Sequence, residues 1–140
     1  MTELVVAVDP GRDKCGIAVV HKKGCVLVKK VVNTPDLAPA VAGLLKDYAA
    51  GTVVLGDRTG SAEARRVIAG LKSRDLQFDI IGVDEHRSSD EARLRYWRDH
   101  PPRGLMRLVP IGLQTPAEPV DDYVAVILAE RFFARLKQDK

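Results

Sequence analysis

Cysteine is scarce: the chain has two in 140 residues. Cys15 and Cys25 stand near opposite ends of an expected hairpin, which is poor geometry for a bridge. Neither has metal-type spacing or a Cys or His partner nearby. Both are expected to be buried, as small apolar residues. No apolar run is long enough to span a bilayer, so no membrane role is expected. Met1-Thr2-Glu3 leads straight into an apolar segment without a signal-peptide charge pattern, and the expected location is the cytoplasm. Internal repeats, low-complexity tracts and interdomain linkers are missing, so residues 1–140 are expected to form one domain. The histidines His21, His86 and His100 are tied by no motif to a Ser or Cys nucleophile.

The apolar fraction of 46% is enough for a real core, and 29% charged residues is ordinary for a soluble surface. A formal charge of +3 is mildly basic. It permits a polyanionic partner without requiring one.

The stretch that organises the chain is Leu4-Val5-Val6-Ala7-Val8-Asp9-Pro10-Gly11. A continuous Val-rich run predicts a strand buried on both faces, and Pro10-Gly11 ends it. Gly16 to Val20 and Cys25 to Val32 predict two more strands in an antiparallel meander. Lys22, Lys23, Lys29 and Lys30 make that hairpin basic, as edge strands often are. Thr34-Pro35-Asp36 predicts a capped helix start, with Leu37, Val41, Leu44, Leu45 and Tyr48 on one face. Gly51 ends that helix, and Thr52 to Leu55 is a short apolar strand suited to a parallel centre.

After the loop Gly56 to Gly60, Ser61 is expected to cap a helix that buries Val67, Ile68 and Leu71. Phe78 to Val83 is a fifth strand. Ser88 and Glu91 then have capping-box spacing ahead of a helix that Pro101-Pro102 must stop. Five prolines between Pro101 and Pro119, with no period, predict an irregular connector with one short apolar turn at Leu105-Met106. The last helix runs from about Val120 to Lys137, with Val124, Ile127, Leu128, Phe132 and Leu136 as its apolar face. The order β-β-β-α-β-α-β-α-α predicts an α/β domain with a mixed sheet.

Acids stand at the ends of these elements. Asp9 ends the first strand and Asp57 follows the fourth. Asp84-Glu85 follows the fifth, and Asp121-Asp122 opens the last helix. Each has a bland role open to it: a turn Asp, a loop charge, or a first-turn acid on a helix dipole. Together, at the carboxyl edge of an α/β sheet, they would form a ligand site. Converging carboxylates suit a hard cation, Mg²⁺ or Mn²⁺. A pair of such ions can drive phosphodiester hydrolysis.

Val8-Asp9-Pro10-Gly11 with Gly16-Ile17-Ala18-Val19 resembles the opening motif of the YqgF family, also called RuvX. Its members are described as Holliday-junction resolvases and pre-16S rRNA processing nucleases. Val83-Asp84-Glu85 with Ser88-Ser89 and Glu91-Ala92 is similar to that family's Asp-Glu-Arg segment and following helix. Asp122-Tyr123-Val124-Ala125-Val126 resembles its last helix, and Gly60-Ser61 its Gly-Ser helix start. The resemblance spans nearly the whole chain in order. It implies an RNase H-like fold, a five-stranded mixed sheet in order 3-2-1-4-5 flanked by helices. It also implies a role in ribosome biogenesis or junction resolution. The family's acids carry over to Asp9, Glu85 and Asp122. The chain departs from the family at His86, at Asp57 in a shortened loop, and in the long connector, as a divergent member would.

The expected function is a Mg²⁺- or Mn²⁺-dependent nuclease on structured RNA or branched DNA. Asp9, Glu85 and Asp122 would be catalytic and metal-binding, with Asp57 a further ligand and Asp57 or Asp121 a substitute for Asp122. Arg12, Arg58, Arg87 and Arg93 are the candidate phosphate contacts, although the helix arginines also suit a solvated face. His86 is a candidate proton shuttle. The alternative is a non-catalytic nucleic-acid-binding or assembly protein of the same fold, as a monomer or homodimer. An actin-like ATPase ranks last, because it needs two such domains.

Overall fold

The computed structural model describes residues 3–58, 60–110, 113, 114, 116 and 119–138. Five strands, β1 (Leu4–Asp9), β2 (Lys14–His21), β3 (Val26–Asn33), β4 (Thr52–Gly56) and β5 (Asp79–Val83), form one sheet in the order β3-β2-β1-β4-β5. β1, β2 and β3 pair antiparallel, whereas β4 lies parallel to β1 and β5 parallel to β4. Among the described residues, four α-helices flank the sheet: α1 (Leu37–Asp47), α2 (Ser61–Ala69), α3 (Ser88–Asp99) and α4 (Asp121–Gln138).

Alternation along β1 explains its continuous apolar run. Val5 and Ala7 face a core shared with Val124, Ile127 and Leu128 of α4 and Ala92 of α3. Val6 and Val8 face the opposite core, with Val41 and Leu45 of α1 and Ile68 of α2. A strand covered on both sides has no polar position to offer. α4 is likewise apolar on more than one stripe, with Tyr123 through Ala129 all buried. It lies between the sheet and α3, so its first half is covered nearly all round. Fully burying each large side chain there stabilises by roughly 1.5–3 kcal/mol.

Several local expectations are corrected. Thr34 opens a 3-10 turn and caps nothing; its hydroxyl donates to the carbonyl oxygen of Gly11 at 2.9 Å. Ser61 and Ser88 are the first helical residues and not caps. The chain enters α2 through Gly60 at φ 94° and α3 through Arg87 at φ 59°, and neither helix has a side-chain cap. The capping box therefore does not form, and the buried Ser88 hydroxyl has no partner among the described residues. Ala64 replaces Val67 on the buried face of α2. Val67 is 37% exposed, Leu136 39%. Cys15 is buried, but Cys25 is exposed at the edge hairpin, and both thiols are free.

The connector holds a 3-10 turn at Gly104–Leu108 with Leu105 and Leu108 exposed. Residues 111, 112, 115, 117 and 118 of the connector lie outside the described residues, as do Met1, Thr2 and Thr59. No described helix is long and apolar enough to cross a membrane.

Candidate active site

The carboxyl ends of β1, β4 and β5 lie side by side, because these strands are parallel neighbours. Asp9 continues the alternation of Val5 and Ala7, so its side chain leaves β1 on the α4 face. Its partner across the antiparallel pair is Gly16. A Cβ on Gly16 would collide with the backbone carbonyl of Asp121. The missing side chain lets the start of α4 settle against β2, which brings Asp121 up to Asp9.

Gly56, at the end of β4, serves the neighbouring acid. A Cβ there would overlap the Glu85 side chain. That space admits the Glu85 carboxylate, leaving the residue only 2% exposed. A buried carboxylate is costly unless it is hydrogen-bonded, and the loop after β4 supplies the bonds. The Arg58 N–H donates to Glu85 Oε2 at 2.8 Å, and Arg58 Nη2 donates to the Glu85 carbonyl at 3.2 Å. The Glu85 N–H donates to Asp57 Oδ1 at 3.2 Å. Asp57 and Arg58 thus clamp Glu85 from both backbone and side chain. Beyond it, the His86 N–H donates to Asp84 Oδ1 at 2.9 Å, closing the turn into α3.

Asp9 and Glu85 meet. Burial pushes the Asp9 carboxyl up to about 9, reinforced by its hydrogen bond to Glu85, then by the charges of Glu85 and Asp121, with Arg58 opposing. Asp9 therefore keeps its proton at neutral pH. Asp121 is raised as well, first by burial and then by Asp122, with Lys14 opposing.

Successive residues of a helix point about 100° apart, so Asp121 and Asp122 diverge. The Asp122 carboxylate faces Lys29 of β3 at 3.4 Å and accepts the N–H of Tyr123 at 2.9 Å. Lys29 also stands 3.7 Å above the Tyr123 ring, and the Tyr123 hydroxyl donates to Asp99 at 2.9 Å. Of the acids expected at the centre, Asp9 and Glu85 are brought together and Asp121 is the third beside them. Asp57 is drawn aside to the backbone of Glu85. Among the arginines, Arg58 turns inward onto Glu85 and Arg93 pairs with Asp90 along α3. Arg12 is exposed and pairs with no other side chain among the described residues.

The positions of Gly16 and Gly56 beneath the acids were not legible as site features in the sequence. Gly16 carried a signal as part of the opening motif. Gly56 carried none beyond ending a strand.

Among the described residues, no three His, Cys, Asp or Glu side chains gather as tightly as metal ligands do. The donor set nevertheless suits Mg²⁺ or Mn²⁺, which commonly take one or two carboxylates and complete their shells with water and phosphate oxygens. Asp9 and Glu85 are such a pair. They repel each other when both are ionised, so a cation between them would relieve a cost the fold carries.

The chain has an RNase H-like fold. It is similar, over 95% of its length and 98% of the other chain, to a fowlpox virus resolvase crystallised with Holliday junction DNA, with a TM-score of 0.60 and 13% identity. A second fowlpox virus Holliday junction resolvase structure superimposes with a TM-score of 0.54 at 12% identity, covering 98% of this chain and 99% of that one. RuvC of Thermus thermophilus gives a TM-score of 0.56 at 17% identity, over 95% of this chain and 96% of that one. No protein-family profile matches the sequence, and no curated protein sequence matches it.

Proposed function

We propose that this chain is a divalent-metal-dependent nuclease acting on structured nucleic acid, of the kind that resolves DNA junctions or trims precursor ribosomal RNA. The observation that carries this reading is the contact of Asp9 with the buried Glu85 at the carboxyl ends of β1 and β5. Two carboxyls forced together at a ligand-binding edge are costly for stability and useful for holding a cation. The resolvase-like fold of the neighbouring structures and the ordered motifs that resemble those of YqgF proteins support the same reading. It assigns metal binding to Asp9 and Glu85, with Asp121 completing the shell in place of Asp122. When bound, the cation supplies an activated water and neutralises charge on the phosphodiester.

The chain's own residues do the rest. Asp57 and Arg58 hold Glu85 in place. The Arg58 charge also limits the repulsion between the acids. Exposed Arg12 and Arg87 flank the acids and bind neighbouring phosphates. His86, exposed and next to Glu85, is placed to pass a proton to solvent.

The second reading is a nucleic-acid-binding protein without catalysis. It is favoured by the diversion of Asp57 to backbone and Asp122 to Lys29. Wild type and Asp9→Asn are to be assayed on four-way DNA junctions and on precursor ribosomal RNA with Mg²⁺, Mn²⁺ or chelator. Cleavage by wild type alone, abolished by chelator, supports the nuclease. Equal cleavage by both proteins refutes it. Tight binding without cleavage by either supports the second reading.

A further inference from the structure

A cavity of about 560 Å³ opens at the same sheet edge as the acids but on its opposite face. Its walls include Pro10, Pro35, Leu37, Ala64 and Val67. Its polar floor is already satisfied: the Thr34 hydroxyl donates to the Gly11 carbonyl at 2.9 Å, and the Cys15 sulfur lies 3.5 Å from the Thr34 hydroxyl. The interior is therefore apolar, and its bonded floor asks nothing of a guest. At the mouth stand Glu63, whose charge is paired with Arg66 at 2.6 Å, and Arg12, exposed and three residues after Asp9. Three residues of chain reach at most about 10 Å between backbones, so a phosphate on Arg12 belongs to a nucleotide near the one at Asp9.

We infer that this cavity receives a single unstacked nucleobase next to the scissile phosphate, with Arg12 on the phosphate of that nucleotide. The juxtaposition itself names the guest. A cation at the mouth of an apolar slot matches a ligand with a flat apolar face and an attached anion. A nucleotide has both, and apolar walls take up an extruded base at the cost of its unstacking. That cost is smallest where bases are already unpaired, so the slot would favour junctions, loops and single strands over continuous duplex. The inference rests on nucleic-acid binding at the acid edge, and it adds a specificity element that no acid of the site provides.

The test uses four-way DNA junctions and RNA stem-loops carrying 2-aminopurine at single positions around the branch or loop. Binding is followed with Ca²⁺ or chelator, so that the strand stays intact. A base moved from the stack into the cavity gives a rise in fluorescence at one position. Filling the slot by Val67→Trp, at a partly exposed helix position, is expected to abolish the rise and weaken binding about 5- to 100-fold. Arg12→Gln is expected to keep the rise at high concentration while lowering the salt slope by about one. Thermal melting confirms that both variants fold, and Ala64→Leu replaces Val67→Trp if that one does not. Binding with no rise at any position, or a rise that survives the filled slot, overturns the inference and leaves the nuclease reading standing. Failure to bind either nucleic acid overturns both. A rise on DNA alone or RNA alone supports the slot and identifies the substrate.

Discussion

Replacing Asp9 by Asn should stabilise the protein while removing the proposed nuclease activity. The Asp9 carboxyl has an ordinary value of 3.8 and is raised to about 9 in the folded chain. A raised folded value means that the folded protein binds the proton more tightly than the unfolded chain. Its stability contribution is fully present below about pH 4 and is lost as pH rises through about 9. At about pH 7.5 the unfolded chain has released a proton that the folded chain keeps, over roughly 3.7 pH units. At about 1.36 kcal/mol per unit this costs about 5 kcal/mol. Partial solvent access at the sheet edge reduces the figure to about 2–3 kcal/mol. Asn keeps the shape, carries no charge, and its amide can donate to the Glu85 carboxylate, so most of that cost should disappear. The melting temperature of Asp9→Asn should then exceed that of wild type by roughly 6–12 °C at about pH 7.5. The gap should widen toward about pH 9 and close near pH 4. The assay is thermal melting of both proteins across that range in chelator. A variant less stable than wild type at neutral pH, or a gap independent of pH, would refute the carboxyl-pair reasoning.

Three further outcomes follow from the same geometry. Gly16→Ala and Gly56→Ala should each destabilise by about 1–3 kcal/mol through overpacking and abolish the proposed cleavage, since they displace Asp121 and Glu85. Gly43→Ala in α1, which meets open space, should stabilise by about 0.5–1 kcal/mol; equal melting temperatures for the three variants would contradict this assignment. Ser88→Ala should be neutral or slightly stabilising in chemical denaturation, because the buried hydroxyl has no described partner, whereas a capping serine would lose about 1 kcal/mol. Mg²⁺ or Mn²⁺ should raise the melting temperature of wild type but not of Asp9→Asn. Its affinity, measured by calorimetry, should climb with pH up to about 9 as the Asp9 proton becomes easier to displace; affinity independent of pH would show that the cation binds elsewhere.

The sequence by itself determined the elements and their order. The unbroken apolar run of β1, the short apolar β4 and the prolines after α3 follow from periodicity and backbone chemistry, which act over a few residues. The mixed sheet followed from the same pattern, and the meander followed by alternating helices and strands left few ways to arrange it. Asp9 was legible because an acid that ends a buried strand has only one edge to occupy, whereas Glu85 was singled out from Asp84-Glu85 only by the resemblance to the YqgF motif.

Tertiary structure decided what those local signals could not. The choice between Asp121 and Asp122 depends on the rotation of α4 against β2, which the absent side chain of Gly16 sets from 105 residues away in the chain. The role of Asp57 depends on the parallel pairing of β4 with β5, which places its carboxylate on the Glu85 N–H and not at the acid centre. Ser61 and Ser88 carried cap-like patterns, but left-handed residues ahead of them moved the helix starts by one position. Cys25 was expected inside because cysteine usually is, and it lies outside because its hairpin is the uncovered edge of the sheet. In each case the deciding contact joins residues distant in sequence, so no window of neighbouring residues contains it.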